Sequence, residues 1–235
     1  MSSELLIMMP VYNEEEALGA VVDEWIKVCK KLDAKMLLIN DGSKDKTIDV
    51  IKQKAGEYEE IMFIDRENKG HGPTIREGYQ YAIDQGYKWV FQTDSDGQTN
   101  IEEFYPLWDN REAGPFQFGM RRNRGDGRGR DIISLVLRTL IYLIFGVYPK
   151  DANVPFRIMR TDKLKEYLAH VPVSFFLTNS LLSALILQKG EDQIHWFPIT
   201  FLPRAGGVPS ITWSRFFTIG LQAIKDFRDI KRSLK

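Results

Sequence analysis

This chain of 235 residues has a single cysteine, no net charge and few long apolar runs. The single cysteine, Cys29, excludes an intramolecular disulfide framework and a cysteine-based metal cluster. Basic and acidic residues number 32 each, so the net charge is zero and nothing indicates bulk binding to nucleic acid. The three histidines lie far apart in the sequence, without the spacing of a metal site. The N-terminus lacks a basic region followed by an apolar one, so we expect no signal peptide.

The longest apolar stretch runs from Ile132 to Tyr148 and is interrupted by Arg138. It is shorter than the roughly 20 residues that a membrane-spanning helix needs, so we predict no transmembrane segment. The stretch is nevertheless apolar on nearly every face, and such a helix is either buried all round or in contact with lipid. The sequence therefore predicts that residues 131–148 lie in the plane of a membrane without crossing it.

A second apolar helix, predicted from Phe175 to Leu187, is expected to pair with the first at the membrane, as residues 175–188. On this interpretation, the changes Leu137→Glu and Ile141→Glu together release the protein from lipid while leaving it folded. The alternative is that both helices belong to the protein core.

Apolar runs that are typical of buried parallel strands alternate four times with helical patterns. The runs are Leu5 to Met9, Met36 to Ile39, Ile61 to Ile64 and Tyr87 to Phe91. This alternation predicts an α/β fold with a mostly parallel central sheet and helices on both faces. We expect this domain to span residues 1–210 and an amphipathic helix to occupy residues 211–235.

Polar residues follow the first, second and fourth of these strands, at the point where each strand ends. Tyr12 and Glu14 follow the first, Asp41 the second, and Asp94 and Asp96 the fourth. The carboxyl ends of parallel strands share one edge of a sheet, so we expect these side chains to face a common crevice. The alternative for each loop by itself is ordinary turn chemistry.

Asp94 and Asp96 have the spacing of a metal site. Two convergent carboxylates repel each other unless a cation lies between them. Hard oxygen ligands, with the amide of Gln98 as a third, suit Mg2+ or Mn2+ rather than zinc. Such a metal binds phosphate oxygens as well. The alternative is a plain Asp/Gly turn.

Residues 121–130 contain five arginines and three glycines in a loop before the apolar stretch. Guanidinium groups pair bidentately with phosphate, and glycines allow the loop to rearrange. We interpret this segment as a phosphate-binding loop; the alternative is a solvated loop with no ligand.

The motifs together resemble the family 2 glycosyltransferases of GT-A fold. They are Pro10-Val11-Tyr12-Asn13-Glu14-Glu15, Asn40-Asp41-Gly42-Ser43, Asn68-Lys69-Gly70-His71-Gly72 and Asp94-Ser95-Asp96. The similarity extends from residue 5 to residue 210. Within the family, it is greatest to the dolichol-phosphate mannose synthase-like branch, which moves a sugar from a nucleotide donor to a polyprenyl phosphate.

The resemblance implies a role for each matching position. The implied donor-binding residues are Pro10, Tyr12, Glu14, Asp41, Lys69, Gly70, Asp94, Ser95 and Arg204. The implied metal ligands for Mg2+ or Mn2+ are Asp94, Asp96 and Gln98, and the implied acceptor-phosphate residues are Arg121, Arg122, Arg130 and Ser134. Asp94, Asp96 and Asp151 are the implied catalytic residues of an inverting transfer.

Two departures from the family pattern leave the substrates open. Asn40 stands where the family usually has aspartate, and the segment Asp151 to Arg157 keeps its aspartate and its Phe-Arg but differs at its centre. One alternative is therefore transfer to a saccharide hydroxyl, with Asp151 as general base. Another is a non-catalytic sugar-nucleotide-binding subunit. A sugar nucleotidyltransferase is disfavoured because no glycine-rich phosphate loop follows the first strand.

The resemblance also implies partners and a location. The partners are a GDP- or UDP-sugar donor, a polyprenyl-phosphate acceptor, a membrane surface and a separate membrane subunit, with no nucleic acid. We expect a cytoplasmic protein that is peripheral at the cytoplasmic face of a membrane.

Overall fold

The computed structural model describes residues 3–122, 128–202 and 213–233, with the backbone alone at 128–132 and 213–221. Strands and helices alternate through the first four strands, as the sequence pattern predicts. The strands are β1 (Leu5–Val11), β2 (Lys35–Asp41), β3 (Ile61–Arg66), β4 (Trp89–Thr93), β5 (Phe116–Arg122), β6 (Phe156–Arg160) and β7 (Ile194–Thr200). The helices are α1 (Leu18–Leu32), α2 (Thr47–Glu57), α3 (His71–Asp84), α4 (Phe104–Asp109), α5 (Arg128–Phe145), α6 (Thr161–Leu168), α7 (Thr178–Leu187) and α8 (Trp213–Ser233).

One seven-stranded sheet, in the order β3-β2-β1-β4-β6-β5-β7, runs through the molecule. Strands β1 to β4 pair in parallel, as do β5 and β7. Strand β6 alone among these is antiparallel to both of its neighbours, β4 and β5. The mostly parallel α/β architecture with flanking helices is therefore confirmed, and the carboxyl ends of six strands share one edge of the sheet with the start of β6.

Strand β1 continues through Pro10 to Val11, whereas the sequence predicted that the proline would end it. The carbonyl of Pro10 accepts a hydrogen bond from the Ser95 hydroxyl at 3.0 Å, so the polar groups of Pro10 face the β4 side. Pairing with β4 stops at Met8. The missing N–H of Pro10 therefore removes no ladder bond, and the strand tolerates the proline near its end.

Helix α3 begins at His71, directly after the glycine-rich loop. Gly70 precedes it with a φ of +94°, a conformation that favours glycine. Pro73 lies in the first turn, where its missing N–H is not needed by the helix. At Gly72 an added Cβ would lie 2.4 Å from the carbonyl oxygen of Phe175, so glycine allows α3 to approach the chain before α7.

An aromatic cluster fills the core on one face of the sheet. The ring of Phe91 on β4 lies 4.9 Å from Phe104, 4.9 Å from Phe156 and 5.1 Å from Trp25, centroid to centroid. Cys29 on α1 is fully buried, as expected of a packed residue in an amphipathic helix.

Helix α7 corrects one prediction. All ten residues from Thr178 to Leu187 are buried, so this helix is not available to contact a membrane. Its apolar pattern on every face is that of a helix enclosed by protein, since α3, α5 and α6 pack around it. Of the two predicted interface helices, only α5 has an exposed apolar side. Among the described helices, none combines the length and the apolar character needed to cross a bilayer.

Candidate donor and acceptor site

The loops after β1, β2, β3 and β4 are joined along the carboxyl edge of the sheet. The Ser95 hydroxyl connects the loop after β4 to Pro10 on β1. Asn13 and Ser43 connect the loops after β1 and β2, because the Asn13 N–H donates to Ser43 Oγ at 3.0 Å. The Glu14 N–H donates to Thr47 Oγ1 at 2.8 Å and extends the same connection. The structure thus brings the loops that follow β1, β2 and β4 together at one edge of the sheet.

Asp41 orients the glycine-rich loop that follows β3. Its two carboxylate oxygens accept the backbone N–H groups of Lys69 and Gly70 at 2.8 and 2.9 Å. The guanidinium of Arg66 also donates to this carboxylate. Asp41 is buried, whereas Tyr12 and Lys69 have exposed side chains. Tyr12 and Lys69 are therefore accessible from solvent, whereas Asp41 fixes the backbone of the glycine-rich loop.

Asn40, the departure from the family pattern, has a physical explanation. Its Nδ2 donates to Asp65 Oδ1 at 2.7 Å, and its Oδ1 accepts from the backbone N–H of Ser43 at 3.3 Å. Asparagine supplies both a donor and an acceptor here. An aspartate at this position would place two carboxylates against each other, which is unfavourable.

The predicted metal-binding turn follows β4. Asp94 and Asp96 are both partly exposed, and Gly97 has a φ of +71° that closes the turn. One oxygen of Asp96 accepts the backbone N–H of Gln98 at 3.1 Å. Gln98 is also joined to Leu202 twice: Nε2 donates to the Leu202 carbonyl at 2.8 Å, and the Leu202 N–H donates to the Gln98 carbonyl at 2.8 Å. The turn is therefore tied to the chain that leads into residue 203.

The donor set of this turn fits a divalent cation that also binds phosphate. In the described part of the chain, no three acidic, histidine or cysteine side chains form a closed metal cage. Mg2+ in nucleotide sites is usually held by one or two carboxylates, with phosphate oxygens and water completing its shell. Two neighbouring carboxylates, Asp94 and Asp96, meet that requirement, whereas a cage of protein ligands alone would not leave room for a diphosphate.

Asp151 and Arg121 form a bidentate ion pair. Arg121 Nε lies 2.7 Å from Asp151 Oδ2, and Nη2 lies 2.8 Å from Oδ1. The side chains are 12% and 6% exposed, respectively. The Arg121 guanidinium also stacks on Phe201, 5.2 Å from the ring centroid. The predicted base and one of the predicted acceptor cations are therefore engaged with each other.

The remaining residues that were predicted to bind the acceptor lie around the end of β5 and the start of α5. Arg122 is exposed at the last position of β5, and Ser134 is partly exposed in the second turn of α5. Arg130 belongs to the first turn of α5, but its side chain lies outside the described residues. Arg204 also lies outside them.

Sequence reasoning missed a buried polar network beneath the site. Arg157 on β6 is fully buried, and its guanidinium donates to the carbonyls of Val154, Ala152 and Asn179 at 2.7, 3.0 and 2.9 Å. Burial lowers the pKa of Arg157 to about 10, because desolvation disfavours its charged form. The guanidinium also stacks on Phe118 at 4.4 Å. Arg157 therefore anchors the segment that follows Asp151.

Tyr79 continues this network. Its hydroxyl lies 2.5 Å from Gln92 Oε1 and 3.0 Å from Asn179 Oδ1. Burial raises the pKa of Tyr79 well above its ordinary value, so the hydroxyl stays protonated. The sequence does carry a signal for this network, because Gln92 and Arg157 lie inside strands that are otherwise apolar. A buried polar side chain needs a hydrogen-bond partner, so each of these residues indicates a buried polar contact.

The family assignment comes from comparison with known proteins. The sequence pattern described as Glycosyl transferase family 2 matches residues 6–170. Polyprenol monophosphomannose synthase of Mycolicibacterium smegmatis is 26% identical over 219 residues, 89% of this chain and 81% of that protein. An undecaprenyl-phosphate 4-deoxy-4-formamido-L-arabinose transferase of Pectobacterium atrosepticum is 29% identical over 159 residues, 66% of this chain and 48% of that protein.

A third relative matches a shorter segment. A dolichyl-phosphate beta-glucosyltransferase of Trichomonas vaginalis is 33% identical over 111 residues, 44% of this chain and 33% of that protein. The match thus spans half or less of the length of the last two relatives.

Among solved structures, glucosyl-3-phosphoglycerate synthase from Mycobacterium tuberculosis, in complex with Mn2+ and UDP-glucose, has a TM-score of 0.72 at 16% identity, covering 97% of this chain and 79% of that one. That likeness concerns the fold. Because the family pattern covers more than half of the sequence, this chain belongs to glycosyl transferase family 2.

Proposed function

We propose that this protein is an inverting, divalent-metal-dependent glycosyltransferase that moves a sugar from a nucleotide-sugar donor to a polyprenyl phosphate. The names of the three relatives support this acceptor class, since each contains a polyprenol or a polyprenyl phosphate. A nucleotide-sugar donor and Mn2+ accompany the structural neighbour of the same fold. The arrangement of the site supports the proposal independently.

The order of the strands sets the order of the substrate groups along the carboxyl edge. We assign the nucleoside to Tyr12 and to the loop that Asp41 fixes, after β1 and β2. The family resemblance implies further donor residues, which are Pro10, Glu14, Lys69, Gly70, Ser95 and Arg204. Asp94 and Asp96, after β4, take the diphosphate and its metal, with Gln98 as the third ligand. Beyond β6 lie the end of β5 and helix α5, where Arg122, Arg130 and Ser134 take the acceptor phosphate.

The observation that carries the acceptor class is the ion pair of Asp151 with Arg121. Both oxygens of this carboxylate are engaged by the guanidinium, so the pair must break before Asp151 can take a proton from a hydroxyl. A phosphate acceptor is already ionised and needs no base. We therefore assign Asp151 to holding Arg121, and favour Arg122 over Arg121 as the acceptor cation because its side chain is exposed.

The proposed reaction is an in-line displacement. An oxygen of the acceptor phosphate forms a bond to the anomeric carbon as the bond from that carbon to the diphosphate breaks, and the electron pair leaves with the nucleoside diphosphate. Mg2+ or Mn2+, when bound, stabilises the charge of that leaving group. The protein holds donor and acceptor at neighbouring strand ends, which supplies proximity and orientation.

A pH profile of transfer tests the assignment of Asp151. The second pKa of a phosphate monoester is about 6, so transfer to a polyprenyl phosphate should vary little from about pH 7 to 9. Asp151→Asn should reduce turnover by less than about tenfold, whereas loss of a general base costs about 100- to 10,000-fold. A loss in the larger range, by a variant that circular dichroism shows to be folded at the assay temperature, would favour a hydroxyl acceptor.

A matched pair of variants tests the metal role. Asp94→Asn should abolish the rise in melting temperature that Mn2+ and a nucleotide sugar produce together, because the diphosphate charge is then uncompensated. Asp84→Asn, an exposed carboxylate at the far end of α3, should behave as wild type. Full transfer by Asp94→Asn, or transfer in excess chelator, contradicts the role.

The exposed side of α5 supports a membrane surface as partner. Leu135, Val136, Tyr142 and Leu143 are 54%, 45%, 55% and 72% exposed and lie along one side of the helix. An exposed apolar patch of this kind marks an interaction site, and a helix can lie in a lipid interface with such a side inward. We place this side of α5 on the membrane that holds the acceptor. Its cytoplasmic face and a separate membrane subunit stay predictions.

A further inference from the structure

We propose that the side chain of Asn153 binds a hydroxyl group of the transferred sugar and thereby contributes to donor specificity. The inference rests on the proposed function, because it takes the positions of the diphosphate and the acceptor from it. Asn153 lies at the centre of the segment in which this sequence departs from the family pattern. Its backbone N–H donates to Asp151 Oδ1 at 3.3 Å, whereas its side chain has, among the described residues, no hydrogen bond to Asp151, to Arg121 or to the metal-binding turn.

Strand register places Asn153 beside the metal-binding turn. Thr93 on β4 pairs with Phe156 on β6 in an antiparallel ladder. Asp96 lies three residues after Thr93, and Asn153 lies three residues before Phe156, so both emerge at the same edge of the sheet. Strand β6 separates β4 from β5, and Asn153 is therefore between the carboxylates of β4 and the acceptor residues of β5. A sugar that bridges the diphosphate and the acceptor occupies this interval.

The backbone on both sides of Asn153 is fixed. The guanidinium of Arg157 holds the carbonyl of Ala152 at 3.0 Å and that of Val154 at 2.7 Å. The hydroxyl of Ser183 on α7 donates to the Ala152 carbonyl as well, at 3.2 Å. Ala152 and Val154 are both buried, and Asn153 between them is partly exposed. Such preorganisation is what a recognition residue needs, since little order is lost when the ligand binds.

The side chain of Asn153 is also oriented. Its Oδ1 accepts a hydrogen bond from the Ser180 hydroxyl at 3.2 Å, and Ser180 is fully buried on α7. Within the described residues Nδ2 has no hydrogen-bond partner, and it is not buried. The amide thus has two N–H donors directed away from Ser180. A neutral donor suits a sugar hydroxyl better than a phosphate, which favours cations.

Isothermal titration calorimetry in the presence of Mn2+ tests the inference. The affinities for UDP-glucose, UDP-galactose and GDP-mannose are measured, and each is compared with the affinity for the matching nucleoside diphosphate, UDP or GDP. Asn153→Ala should weaken binding of the preferred nucleotide sugar by about five- to tenfold, the value of one lost hydrogen bond. Binding of the nucleoside diphosphate should stay within about twofold, because it does not include the sugar. Ser180→Ala should produce a smaller loss in the same direction, since it releases the amide without removing it.

Asn153→Asp replaces the donor with an acceptor of the same shape, and it should change the order of preference among the three nucleotide sugars. Asn110→Ala, at the opposite edge of the sheet, is the matched control and should leave every ratio unchanged. Equal weakening of sugar nucleotide and nucleoside diphosphate, or no change in either, overturns the role of Asn153. If the wild-type protein binds none of the nucleotides with Mn2+, the proposed function itself fails, which is a different result.

Discussion

The exposed apolar side of α5, which we propose lies on a membrane, gives the sharpest quantitative prediction. Leu143 and Leu135 are 72% and 54% exposed, so most of their side-chain surface is still available for burial in lipid. Complete transfer of such a side chain out of water is worth about 2 kcal/mol, and the exposed fractions scale this to about 1.4 and about 1.1 kcal/mol. The variant with both Leu135→Glu and Leu143→Glu should therefore bind vesicles roughly 60-fold more weakly, before any cost of bringing carboxylates to the lipid.

The assay is flotation with vesicles that contain anionic lipid, with the melting temperature measured alongside. The structure also corrects the choice of residues, because Ile141 is fully buried and Leu137 is partly buried against the core. Ile141→Glu should unfold the protein by burying an unpaired charge rather than release it from lipid. Phe63→Glu, at an exposed position of edge strand β3, is the matched control and should float as wild type.

Two results would refute the reasoning. Wild-type protein that stays with the soluble fraction would remove the membrane face altogether. A folded Leu135→Glu/Leu143→Glu variant that floats as well as wild type would show that another surface binds the lipid.

Three further predictions concern stability and reactivity. Gly72→Ala should lower the free energy of unfolding by about 1–3 kcal/mol, because the added Cβ would meet backbone atoms. Gly56→Ala has open space around the new Cβ and should raise the free energy of unfolding by about 0.5–1 kcal/mol. Urea denaturation measures both changes, and equal effects contradict the packing argument. Burial raises the pKa of the Cys29 thiol to about 12. A thiol reagent at about pH 8 should therefore label Cys29 only in denaturant. Rapid labelling of the folded protein would contradict the burial of this thiol. Removing the side chain of either Arg121 or Asp151 should cost about 3 kcal/mol of stability, because it leaves the other charge unpaired. Removing both should cost less than the sum of the two single losses. Additive losses in a double-mutant cycle would mean that the two charges do not interact.

The donor half of the fold was largely predictable from sequence. Strands β1 to β4 are short apolar runs that end in polar turns, and their parallel pairing follows from the alternation with helices. The positions of Asp41, Asp94 and Asp96 at one edge follow from the same rule. The extension of β1 through Pro10 was not predictable, because a proline ordinarily ends a strand and only the neighbouring ladder shows that it does no harm here.

The part of the fold that carries the proposed acceptor site, from β5 onward, depended on tertiary packing. A helix that is apolar on every face, such as α7, has the same sequence pattern whether protein or lipid surrounds it. The ion pair of Arg121 with Asp151 joins residues 30 positions apart on separate elements, and no local spacing indicates it. The anchor role of Arg157 likewise required knowledge that the segment after Asp151 folds back over β6.

The reversed direction of β6 has a consequence for how this fold can change. Strand β5 ends and β6 begins at the same edge, so the chain between them leaves the sheet and returns to it without crossing to the other side. Insertions or deletions between these two strands are therefore absorbed at that edge, and no strand shifts its register. Under the proposed function, a change of acceptor can therefore be accommodated by lengthening or replacing α5, while β1 to β4, which carry the proposed donor site, keep their pairing. The antiparallel strand then separates the choice of acceptor from the choice of donor.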